Sequence, residues 1–295
     1  MFKFEEIIKK YNYDEQLSEF LYKVYIELVR YYGNEEIIYN AFLNTEIKST
    51  SNIYEYLKEN DMIDENTLVT ESDLKRSTGI YTSKPLIVSE NNKYKIIDIK
   101  RTVLVKDFDI KSTTKKATLI HELCHMAKSY ENEYTVKGNI LVNNSGLIER
   151  HYKLTGDKEV QKELIIEKGI GLEEGFTTIA EEQITRNIVD EKYHQSGYGP
   201  VYTLSNILTE YINENLIRYS ELHHDRELLY EKINNYEEME NLSDLAYKLN
   251  LEMYAKAFDE RELENIKNAI LNIMKEYKES LSKEKGRVKW NYMKN

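Results

Sequence analysis

The chain has 295 residues, 41% hydrophobic and 32% charged, a balance that fits a globular fold and excludes general disorder. Its formal net charge of −11, with Lys and Arg scattered among acids, excludes nucleic acid as a general partner, because phosphate binding needs a basic surface. The sole cysteine, Cys124, rules out an internal disulfide, and no apolar run reaches the length of a membrane span.

Two prolines and eleven glycines are few breakers, which favours long helices over a many-stranded architecture. The opening Met1-Phe2-Lys3-Phe4-Glu5-Glu6 is amphipathic and lacks the apolar core of a signal peptide, so a cytoplasmic location is expected. Residues 1–66 read as an N-terminal helical region. Leu17, Leu21, Val24 and Leu28 keep a three-four spacing across 14–32, and Gly33 follows as a stop. Further helices are expected over 35–42 and 53–58, with Ser49-Thr50-Ser51-Asn52 as the break and caps between them. From residue 67 the character changes, and 67–295 reads as a second region. Residues 80–88 and 94–105 are rich in Ile, Val, Tyr and Thr around a turn at 89–92, and predict strands.

Lys111-Ser112-Thr113-Thr114 offers an N-cap for the next helix. That helix carries His121-Glu122-Leu123-Cys124-His125. At helical spacing Leu119, Ile120, Leu123, Cys124 and Ala127 fall on one half, and Thr118, His121, Glu122 and His125 on the other. Two histidines at i and i+4 can reach one metal ion, and the adjacent Glu122 stands where a general base would. Cys124 falls on the apolar half and reads as a small core residue.

Residues 133–142 and 147–154 predict an antiparallel hairpin, with Asn143-Asn144-Ser145-Gly146 as its turn. The stretch 158–165 is charged and mixed, Gly169-Ile170-Gly171 breaks the chain, and the remainder from about 172 reads as helical. The last helix has Asp259 as cap and Leu263, Ile266, Ile270, Ile273, Tyr277 and Leu281 as its seam.

The His-Glu-x-x-His helix resembles the zinc-binding helix of zincin metallopeptidases. Leu172-Glu173-Glu174-Gly175-Phe176-Thr177 resembles the L-x-E-G-F-T segment of the gluzincin type, in which the glutamate before glycine binds zinc. The resemblance covers roughly 117–129 and 171–182. It implies an α+β, mainly α, zincin-like fold, with a small sheet before the active-site helix and a helical C-terminal part. It also implies a Zn2+ ion held by His121, His125 and Glu174, with Glu122 as general base, cleaving a peptide or protein substrate. Glu174 lies 174 − 125 = 49 positions beyond His125, an interval the predicted hairpin lengthens.

Periodicity agrees with this assignment. In a helix from Glu174, Thr178 and Glu181 return to its side, while Phe176, Ile179 and Ala180 face a core. Glu181 is then placed to take the second ring nitrogen of a zinc-bound histidine. Glu173 and Glu182 are expected on a solvated face. His151, His194, His223 and His224 are weaker ligand candidates. A metzincin would need a histidine where Glu131 stands.

Gluzincins often use a Tyr or His to stabilise the oxyanion, and Tyr198, Tyr202 and His223 are the candidates here. The G-x-M-E-N motif of the aminopeptidase branch is absent upstream. Met239-Glu240-Asn241 lies downstream without the glycine, which points to an endopeptidase or a narrowly specific protease. The alternative is a zinc-containing regulatory or binding protein without general peptidase activity.

Overall fold

The computed structural model describes residues 4–63, 71–90, 93–156, 159–194, 199–230, 240–241 and 243–248. Helices α1 (Phe4–Tyr11), α2 (Glu15–Tyr32) and α3 (Glu35–Leu43) open the chain. The Asp14 side chain accepts from Leu17 N–H at the start of α2, and Gly33 closes it in the left-handed conformation.

The stretch 46–50, read above as the approach to a helix break, is instead strand β1 (Glu46–Thr50). Ile47 is its only apolar residue, so no hydrophobic alternation announces it. Helices α4 (Ile53–Glu59), capped by Asn52, and α5 (Glu71–Arg76) follow.

Strands β2 (Gly79–Glu90) and β3 (Lys93–Lys106) form the expected hairpin, and β1 joins β3 in parallel, giving the order β1-β3-β2. Strand β2 is therefore an edge. Helix α6 (Thr113–Ser129) carries the motif, with the Ser112 side chain accepting from Lys115 N–H at its start.

The stretch read as one hairpin beyond α6 is a meander of β4 (Tyr134–Lys137), β5 (Ile140–Ser145) and β6 (Ile148–Thr155). Gly138, at φ +65°, makes the missed first turn. The second turn falls at Gly146-Leu147, because β5 runs through most of the expected turn and pairs Ser145 with Ile148. The charged segment at 158–165 leads into a fourth strand, β7 (Gln161–Lys168), on the edge beside β6. Its consecutive Leu164, Ile165 and Ile166 break strict alternation, and β6 is irregular opposite them, between His151 and Tyr152.

Helices α7 (Ile170–Ile188), α8 (Gly199–Tyr211), α9 (Glu214–His223) and α10 (Arg226–Tyr230) complete the named elements, and residues 243–248 are helical. The described residues thus form a mixed α+β fold with two sheets. One core joins α1–α3, Ile47 of β1, Val103 and Val105 of β3, the apolar face of α6 and Ala180 and Ile184 of α7. Cys124 is fully buried within it. The N-terminal helices therefore pack directly behind the motif helix.

Among the described residues no helix is long and apolar enough to cross a membrane. The expected helix at 259–281 lies outside the described residues.

Candidate metal centre

Helix α6 is enclosed along almost its whole C-terminal half, so the polar groups there are held by protein rather than water. His121 and His125 sit one turn apart, 7% and 8% exposed, with their Nε2 atoms 3.2 Å apart. The third residue comes from α7, whose first turn crosses this face. That helix starts at Gly169 with no side-chain cap of its own. Asp244 supplies one from a distant segment, accepting from Gly169 N–H at 3.1 Å and Gly171 N–H at 2.8 Å. A Cβ on Gly171 would stand 1.9 Å from the Ser243 carbonyl oxygen, so only glycine permits this docking.

Glu174, the fifth residue of α7, projects from the start of the next turn. One carboxylate oxygen lies 3.4 Å from His121 Nε2 and the other 3.6 Å from His125 Nε2. These separations fit a single ion. Ligands about 2.0–2.1 Å from a tetrahedral zinc stand about 3.3–3.4 Å from each other. Glu174 Oε2 is also buried without a hydrogen-bond partner among the described residues, which leaves it a lone pair to give to a cation.

Both imidazoles are aimed by carboxylates behind them. His121 Nδ1 donates to Glu181 Oε2 at 3.0 Å, and His125 Nδ1 donates to Glu173 Oε1 at 3.1 Å. With each proton on Nδ1, each Nε2 lone pair faces Glu174. Glu181 thus takes the supporting role its spacing suggested, and the Tyr193 hydroxyl holds its other oxygen at 2.6 Å.

Glu173 corrects the expectation of a solvated face. It is fully buried, and its second oxygen accepts from Leu147 N–H at 2.9 Å. Glu182 is buried too, beside Arg186. The reason is that α7 is packed all round, by α6 on one side and α8 on another.

The electrostatics favour a cation. Burial pushes His121 and His125 down, but Glu174 with Glu181 lifts the first well above the ordinary histidine value, and Glu174 with Glu173 lifts the second. Burial pushes the Glu174 carboxyl up, and the two imidazoles still drive it far below the usual carboxylate range. The pocket therefore draws positive charge, by proton or by metal.

Glu122 stands on the same edge. Its Oε2 accepts from Tyr81 N–H on β2 at 2.7 Å, and burial raises its carboxyl. The free edge of β2 thus faces the motif helix. A cavity is lined by the consecutive residues Ile80, Tyr81, Thr82, Ser83 and Lys84, which alternate sides of the strand, so it runs along that edge.

The expected oxyanion donors do not gather here. Tyr202 of α8 bonds Asn206 and Glu182, His223 pairs with Glu131 at 2.6 Å, and Tyr198 lies outside the described residues. Tyr247, which spacing did not single out, feels the charges of this cluster. It sits one turn beyond the capping Asp244, and Glu174 and Glu122 are among the charges that raise its phenol above the usual range, behind burial as the main cause. Nothing local in the sequence marks it.

The fold and the cluster define a mixed α/β protein with a His-His-Glu group, His121, His125 and Glu174, that could hold a metal ion. Comparison with protein-family models, curated proteins and solved structures finds no match to this chain.

Proposed function

We propose that the protein is a zinc-dependent metallopeptidase of the gluzincin type, with a zincin-like fold, that hydrolyses peptide bonds within peptides or proteins. The observation that carries this reading is the convergence of two Nε2 atoms and one carboxylate at 3.2–3.6 Å, with a second carboxylate, Glu122, on the same edge.

His121, His125 and Glu174 would hold the ion, and three protein ligands leave a fourth position open, as a catalytic zinc needs. Bound zinc would acidify a water and polarise the substrate carbonyl. Glu122 takes the proton of the attacking water, and burial, which raises its affinity for protons, suits it to act as a general base. The Tyr81 N–H holds that carboxylate in place. An extended substrate would lie along the edge of β2 that pairs with no described strand. Tyr247, whose phenol feels the Glu174 and Glu122 carboxylates, is the donor proposed here for the developing oxyanion.

Glu122→Gln tests the reading. The variant should bind one zinc and lose cleavage of a peptide the native protein cuts. Full activity in it would remove Glu122 from the mechanism.

One observation favours a second reading, a regulatory protein with a structural zinc. His121, Glu122 and His125 are all under 9% exposed. Absence of cleavage across a broad peptide library, with zinc stoichiometrically bound, would select it.

A further inference from the structure

Lys128 follows His121 and His125 at i+7 and i+3, so it extends the same face of α6 inward from the ligands. A lysine without solvent is rare unless every donor is met. Here the side chain is wholly buried, and its three N–H donors have three acceptors. Nζ lies 2.6 Å from Glu173 Oε1, 2.7 Å from Thr177 Oγ1 and 2.7 Å from Glu221 Oε1. The acceptors come from α7 and α9, and each is 1% exposed or less.

Glu173 Oε1 is the joint of this arrangement. The oxygen that receives Lys128 also receives His125 Nδ1. Thr177 donates its own proton to the Glu173 carbonyl at 2.7 Å, so it can only accept from the lysine. A buried ion pair of this kind is weak evidence of stabilisation, since well-packed apolar side chains often serve as well. Its placement against a ligand's supporting carboxylate suggests a different role.

We propose that Lys128, seated by Thr177 and Glu221, is a positioning residue of the metal centre. It neutralises and orients Glu173 so that Glu173 keeps the His125 proton on Nδ1 and the Nε2 lone pair on the metal. This rests on the metal-binding reading above. Without the ammonium, Glu173 Oε1 loses its 2.6 Å donor, the carboxylate can turn, and the orientation it imposes on His125 Nδ1 goes with it.

The test is zinc affinity, by competition with a chromophoric chelator, and the visible spectrum of the cobalt(II) form, on folded protein checked by circular dichroism. Lys128→Met should weaken zinc binding about tenfold or more, the range seen when partners of metal-bound histidines are removed, and should alter the cobalt spectrum. Thr177→Val keeps the shape and removes one acceptor. It should weaken binding several-fold, and it decides the matter if the first variant does not fold. Native or tighter zinc affinity with an unchanged cobalt spectrum in either folded variant would overturn the proposal. Failure of the native protein to bind zinc would instead remove the reading on which it rests.

Discussion

Gly79, where β2 meets α6, offers a prediction whose size follows from distances. A Cβ there would stand 2.6 Å from Thr118 Cγ2, 2.9 Å from Glu122 Oε1 and 3.0 Å from Glu122 Cγ. Carbon atoms rest at about 3.5–4.0 Å, so Gly79→Ala is short by about 1 Å against Thr118. Either the strand lifts or the Glu122 side chain turns, and both break the 2.7 Å bond from Tyr81 N–H.

Overpacking of this degree costs about 1–3 kcal/mol of stability. Displacing a catalytic carboxylate by about 1 Å can cost about 100-fold in rate. Zinc binding should hold, because Glu122 is not a ligand. The assay is kcat on a peptide cleaved by the native protein, beside zinc content and thermal unfolding. Native turnover and native stability in the alanine variant would refute the claim that β2 lies against Glu122, the proposed general base.

Two further outcomes follow from the same geometry. Asp244→Ala removes the side-chain cap that the described residues give α7, a loss of about 1–2 kcal/mol, and should lower the melting temperature by about 2–4 °C per kcal/mol and weaken zinc binding through Glu174. An unchanged melt would show that the cap contributes nothing. The metal-free protein should also lose stability as pH rises above neutrality. His121 and His125 are held above the ordinary histidine value, about 6.5, so their contribution is complete below that pH and is lost as pH climbs through the raised values. Zinc should show the opposite trend, with the stabilisation it confers growing with pH as protons leave the ligands. Melting curves from pH 6 to 9, with and without zinc, check both signs.

Much of this was legible because it is local. Asp14 and Gly33 bracket α2, Ser112 opens α6, and four-residue spacing puts His121 and His125 on one face. What escaped depends on partners far along the chain. Strand β1 exists because it pairs with β3, more than fifty positions on, and Ile47 alone could not announce it. Glu173 looked like a surface acid because the residues that pair with it, His125, Lys128 and Leu147, converge only in the fold. A signal was present: Lys128 falls at i+7 from His121 on the reactive face, where a solvated lysine has no place. Tyr247 had no such mark, since its position is set by the Asp244 contacts to Gly169 and Gly171.

The most direct measurement is a zinc titration of the metal-free protein and its Glu174→Ala variant, read by elemental analysis and isothermal calorimetry. One zinc per native chain, with affinity at least about tenfold weaker in the variant, is the predicted result. No bound zinc in the native protein, or an equal affinity in both, would contradict a centre made of His121, His125 and Glu174.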